Sequence, residues 1–213
     1  MTAPTVPARD CRLCPRLVAF RAENRAREPA WHNAPVASFG PLEAPLLIVG
    51  LAPGLRGANR TGRPFTGDYA GELLYRTLLR FGLARGSYAA RSDDGLELTG
   101  ARICNAVRCV PPENKPTPAE IAACNRFLAA ELSAMPRLRA VLALGAIAHQ
   151  AVLRARGLRA GALPFRHGAT HDLGGMVLVD SYHCSRYNTS TGRLTETMFA
   201  EVVERLLPLL TPA

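Results

Sequence analysis

The chain has 213 residues, enough for one domain to bury a sizeable core without disulfide staples. Its longest apolar runs, such as Ala140 to Leu144, are far too short to cross a bilayer, which argues against a membrane protein. The formal charge of +9 comes almost wholly from arginine, because Lys115 is the only lysine, and it favours an anionic partner unless those arginines are spread over a solvated surface.

In chain order, Met1 to Arg9 has neither an apolar core nor a small-residue cleavage site, so a cytoplasmic protein is expected, working near the nucleoid if its partner is DNA. The Pro- and Arg-rich stretch up to Trp31 reads as an appendage, and it contains the C-x-x-C of Cys11-Arg12-Leu13-Cys14. Leu46 to Val49, between Pro45 and Gly50, is an apolar run suited to a strand buried on both faces. The glycine-rich stretch Gly50 to Asp68 follows, and then Leu73, Leu74, Leu78 and Leu79 recur at helical spacing and predict a helix over 69–83. Ala101 to Val107 reads as a second strand. Thr117-Pro118-Ala119-Glu120 is a capping box with proline at the first helical position. A third strand over Ala140 to Leu144, a helix over 146–156, a fourth strand over Met176 to Val179 and a closing helix over 195–207 complete the pattern. The alternation predicts an α/β class, one three-layer α/β/α domain over 1–213 with a central four-stranded parallel sheet. Ligands of such sheets bind at loops leaving the carboxyl ends of the strands, here 50–68, 104–109, 145–150 and 181–192.

The first of these loops combines glycines, Pro53 and Pro64, Arg56, Arg60 and Arg63, Phe65 and Asp68. It is not a Walker A sequence and lacks Gly-x-Gly-x-x-Gly spacing, so a nucleotide cofactor is disfavoured. The last loop places His183 immediately after a strand. Six cysteines in an intracellular chain are more often metal ligands, catalytic groups or core residues than disulfides. Cys11, Cys14, Cys109 and Cys124 offer four soft thiolates suited to zinc or to an iron–sulfur cluster, and their spacing does not choose between the two. Cys104 and Cys184 read as small core and loop residues.

Together, Gly50 to Asp68 and Ser181 to Leu194 resemble the paired motifs of the uracil-DNA glycosylase superfamily, specifically its family 5, the iron–sulfur type. The resemblance covers nearly the whole chain. It implies a monofunctional base-excision enzyme that hydrolyses the N-glycosidic bond of uracil and of hypoxanthine, xanthine or hydroxymethyluracil in DNA, acting as a monomer. It also implies a [4Fe-4S] cluster on Cys11, Cys14, Cys109 and Cys124, with a cluster-binding N-terminal segment of about 40 residues. By the same resemblance Phe65 stacks on the flipped base, Asn105 pairs with the uracil edge, His183 supports the leaving-group oxygen and Asp68 orients water. Gly50, Ala52 and Gly54 line the base pocket; Arg60 and Arg63 contact phosphates, and Arg186 and Tyr187 enter the duplex.

Other uses of these residues stay open at this point. Phe65 suits a core, Asn105 a strand end, and Asp68 a helix cap. Many relatives carry Asp, Asn or Glu where this chain has Leu51 and Ala52, which admits a non-catalytic iron–sulfur protein that binds DNA lesions. A zinc-stapled hydrolase using Cys184 and His183 is a third reading. Strict uracil enzymes have a tyrosine where Gly54 stands, so a broad pocket is expected unless Tyr69 supplies the missing bulk.

Overall fold

Leu46–Gly50, Ala101–Asn105 and Ala140–Leu144 are each five residues long with every residue buried, as strands covered on both faces must be. In the computed structural model, which describes residues 6–211, they are β1, β4 and β5 of one sheet. The first five residues of the segment read as lacking a leader lie outside the described residues. β7 (Val177–Ser181) is the fourth parallel strand. A fifth, β6 (Thr170–Asp172), pairs antiparallel with β7 at the edge, giving the order β4-β1-β5-β7-β6. The four parallel strands are as expected; the additional edge strand is three residues with no apolar run, which left it invisible to hydrophobic patterning.

Alternation along each strand divides the core in two. Leu46 and Ile48 of β1 face α3 (Tyr69–Arg80) and α7 (Glu196–Leu210), while Leu47 and Val49 face α4 (Pro118–Ala134) and α5 (Ala146–Ala155). The capping box at Thr117 forms as predicted, with the Thr117 side chain accepting from the Glu120 N–H and the Glu120 carboxylate accepting from the Thr117 N–H. A small β2/β3 hairpin (Ala84–Arg85 with Glu97–Leu98), the short helices α2 (Ala58–Thr61) and α6 (Arg186–Ser190), and α1 (Pro15–Arg27) were not anticipated. Among the described residues no helix is long and apolar enough to cross a membrane.

Because β1 lies between β4 and β5, the connection from β1 runs to one side and that into β5 to the other, opening a crevice at the carboxyl ends. One buried carboxylate fixes the β4 side of it. Glu131 on α4 accepts from Arg102 of β4, from Arg108 at 2.9 Å and from Ser38 at 2.7 Å, all on buried or largely buried atoms. Removing it strands two buried guanidinium groups. Glu131→Ala should therefore cost about 3–5 kcal/mol of stability, read as a fall in the denaturation midpoint at unchanged slope.

Candidate active site

The crevice is a cleft of about 660 Å³ whose walls include Leu51 to Ala58, Phe65, Asp68, Tyr69, Asn105, Asn114, His183 and Arg186. Parallel pairing sets its floor, since the register places Gly50 opposite Asn105. A Cβ at Gly50 would overlap Asn105 Oδ1 and lie 2.5 Å from Phe65 Cζ, so glycine lets these two side chains meet over the strand end. Asn105 Oδ1 is buried with no hydrogen-bond partner among the described residues. Phe65 has left-handed backbone (φ 53°), an uncommon state for a bulky residue, held by Tyr88 Oη donating to its carbonyl at 3.3 Å. Its ring faces that of His183, centroids 5.9 Å apart and 28° from parallel.

Asp68 has two duties. It is the N-cap of α3, Oδ1 accepting from the Gly71 N–H at 3.3 Å, and it also lines the cleft. Oδ2 is the atom that approaches Gly54 and Gly57, and it has no hydrogen-bond partner among the described residues. Burial raises the Asp68 carboxyl above the ordinary aspartate value, against the lowering by the Gly71 and Ala70 N–H groups. Burial pushes His183 down to about 4, so its half-buried ring is neutral at pH 7 and carries one N–H. The loop behind it is fixed by Asn188 Nδ2 donating to the His183 carbonyl at 2.8 Å.

Phe65, Asp68, Asn105 and His183 thus come together, with Gly50, Ala52 and Gly54 beside them. At the rim, Arg186 lies over the Tyr69 ring (5.2 Å) while Tyr187 is 71% exposed; Arg60 is exposed and free of any ion pair among the described residues. Arg63 corrects the expectation of a phosphate contact. It is buried, donates twice to Asp94 at 2.8 Å, and sits over the rings of Phe39, Tyr75 and Tyr88, so its charge is already committed to the fold. Cys184 is fully buried and burial raises its thiol strongly, which removes the cysteine–histidine hydrolase reading. Sequence reasoning passed over Arg56 and Asn114 as cleft residues. Asn114 is carried in by a left-handed turn (φ 57°) after Pro111-Pro112, and only that proline pair signalled a bend.

Cys11, Cys14, Cys109 and Cys124 face a second, smaller cavity with Leu17, Arg21, Val107 and Phe127. Burial lifts Cys14 to about 11 and Cys109 to about 12, and neighbouring thiols push the same way, so they ionise together only against a compensating positive charge. Arg21 Nη1 donates to Cys109 Sγ (3.6 Å) and the Arg108 N–H to Cys124 Sγ (3.3 Å). No three of these sulfurs lie within 4.8 Å of one another; among the described residues only His149, His171 and Asp180 form a group that close. That trio is tied into the fold by its own contacts: His149 Nδ1 pairs with Asp180 Oδ1 at 2.7 Å and Nε2 with the Leu163 carbonyl at 3.0 Å.

A model of the uracil DNA glycosylase superfamily matches residues 37–207. The chain is 52% identical over 200 residues to a type-5 uracil-DNA glycosylase of Thermus thermophilus, covering 91% of this chain and 90% of that protein. It is 42% identical over 200 residues to a type-5 uracil-DNA glycosylase of Pyrobaculum aerophilum, covering 92% and 87%. It is 33% identical over 151 residues to a type-4 uracil-DNA glycosylase of Thermotoga maritima, covering 70% and 69%.

In a proton titration followed by NMR, the His183 ring should show its inflection near 4 rather than near the ordinary imidazole value. Asp68→Asn should leave stability at pH 7 unchanged or slightly raised, because asparagine caps helices as well as aspartate does. A carboxyl raised in the folded state opposes folding above that raised value, and this penalty disappears as pH falls below the unfolded value. The two proteins should therefore converge in melting temperature toward acid.

Proposed function

The chain belongs to the uracil DNA glycosylase superfamily, and from that premise we propose that it is a type-5 uracil-DNA glycosylase, hydrolysing the bond between uracil and deoxyribose in DNA to leave an abasic site. The observation that carries this is the convergence of an unpartnered Asn105 acceptor, a cleft-facing Asp68 oxygen and a neutral His183 around one ring, Phe65. A base turned out of the duplex stacks on Phe65. Its ring N–H satisfies Asn105 Oδ1, ending the cost of a buried acceptor without a partner. As the C1′–N bond breaks, its electron pair passes to the base, and the His183 N–H donates to the base oxygen where that charge collects. Asp68 Oδ2 holds the water that bonds to C1′, takes its proton, and offers negative charge to the cationic sugar. Asp68 supplies the carboxylate that Leu51 and Ala52 lack, which favours an enzyme over a protein that only binds lesions.

Gly54 and Ala52 bring no bulky side chain to their part of the cleft wall, so the proposed range extends to hydroxymethyluracil, hypoxanthine and xanthine, with Tyr69, also in that wall, the residue that would narrow it. Arg60, Arg186 and Tyr187 are the proposed DNA contacts, together with the exposed Arg56. The four cysteines are proposed to hold a [4Fe-4S] cluster. Four thiols gathered at one small cavity from Cys11 to Cys124 are the soft donor set that such a cluster would take. Cys11, Cys14, Cys109 and Cys124 would hold it between α1 and the segment after β4, with Val107 and Phe127 against it, and it would supply a cross-link between those two parts of the chain.

Anaerobically purified protein should be brown with about four irons per chain; stoichiometric zinc in place of iron would overturn the cluster assignment. Asp68→Asn should lose about 10²–10⁴-fold in single-turnover base release while its affinity for uracil-containing duplex holds. In the native protein the rate should fall toward acid as Asp68 protonates, starting above the ordinary aspartate range, with no second inflection from His183 near 6.5. Base release from a panel of uracil, hydroxymethyluracil, hypoxanthine and thymine duplexes measures breadth, and action on uracil alone would sink the wider range.

A further inference from the structure

Four arginines are buried in this chain, and three have a carboxylate: Arg63 pairs with Asp94, and Arg102 and Arg108 share Glu131. Arg21, 5% exposed, has none among the described residues. Asp10, whose charge is close enough to feel it, is bonded to Arg25 at 2.7 Å instead. A guanidinium does not shed its proton, and burying one without an anion is strongly unfavourable. Helical spacing explains where Arg21 points. Cys14, Leu17 and Arg21 recur at three and four residues along α1 and its N-cap, so they share one face, and all three line the cysteine cavity. There Arg21 Nη2 donates to the Cys11 carbonyl at 2.8 Å and Nη1 to Cys109 Sγ at 3.6 Å.

We propose that Arg21 is the built-in counter-ion of the metal centre, a positioning residue whose missing anion is the set of cysteine thiolates around the cluster. The inference rests on the cluster reading above. One planar group then joins a ligand from the chain's beginning to one beyond β4, by a two-pronged contact that lysine's point charge would not reproduce. A fixed positive charge against a thiolate also favours the more negative, reduced form of the cluster, so Arg21 raises its reduction potential.

The test uses full-length, anaerobically purified protein with native Arg21, Arg21→Gln and Arg21→Lys. Iron and sulfide are counted first, then the reduction potential is measured voltammetrically and the 400 nm absorbance followed under excess chelator. Arg21→Gln, which keeps a donor but loses the charge, should move the potential to more negative values and speed chelator-driven loss about 10- to 100-fold. Arg21→Lys should recover most of the potential while still losing iron faster than the native protein. A purely structural role would change the loss rate and leave the potential where it was. An iron-loaded native protein with an Arg21→Gln potential unchanged overturns this inference alone; a native protein holding zinc overturns the cluster reading beneath it. Should Arg21→Gln not fold, Arg21→Met, which keeps the buried stem and removes the charge, is measured in the same way: a more negative potential supports the counter-ion role, and an unchanged potential overturns it.

Discussion

The rest of the molecule hangs on the parallel pairing of β1 with β4, which continues past both strand ends. Beyond the Gly50–Asn105 register, the Ala106 N–H donates to the Gly50 carbonyl at 2.9 Å and the Val107 N–H to the Leu51 carbonyl at 3.0 Å. These bonds run the Asn105–Cys109 segment beside the first residues of the glycine-rich loop. One side of the paired segments is the floor of the cleft, with Asn105, Gly50 and Phe65. The other meets the cysteine cavity through Val107, and Ala52 touches both, lining the cleft and packing in the cluster of Leu17, Val107 and Phe127. The cleft and the cysteine cavity therefore share a wall at Ala52.

Buried charge divides the labour around that wall. Glu131 locks Arg102 and Arg108 behind the cysteine-bearing segment, and Asp94 locks Arg63 beneath the loop that carries Phe65. Such pairs contribute less net stability than their distances suggest, because desolvation offsets most of the attraction. Their effect is on geometry: each allows only one arrangement in which no charge is stranded. Arg56 and Arg186, which belong to no such pair, line the cleft instead.

Much of this was legible in the sequence, for definite reasons. The four parallel strands are apolar runs bounded by proline and glycine, and the Thr117 capping box gave the start of α4 to the residue. What was missed lacked an apolar signature. α1 buries Arg21 and Asn24 along with Leu17, a polar inner face that reads as solvated, so the segment looked like an appendage. β6 is Thr-His-Asp, held by His171 and Asp180 rather than by apolar burial. In the site, the resemblance pointed to Phe65, Asn105 and His183, but only three-dimensional contacts distinguish Arg60 from Arg63, three residues apart and chemically alike. Asp68 had seemed to require a choice between cap and cleft; its two oxygens face different partners, and the choice does not arise.

That geometry at Asp68 also limits how this pocket can change. A Cβ at Gly54 would stand 3.0 Å from Asp68 Oδ2, and one at Gly57 would overlap it. The openness of the pocket and the position of its carboxylate are therefore one trait rather than two. A side chain added at position 54 makes that Asp68 oxygen give way by a few tenths of an ångström, so a change in the cleft wall there is felt by the same carboxylate that caps α3.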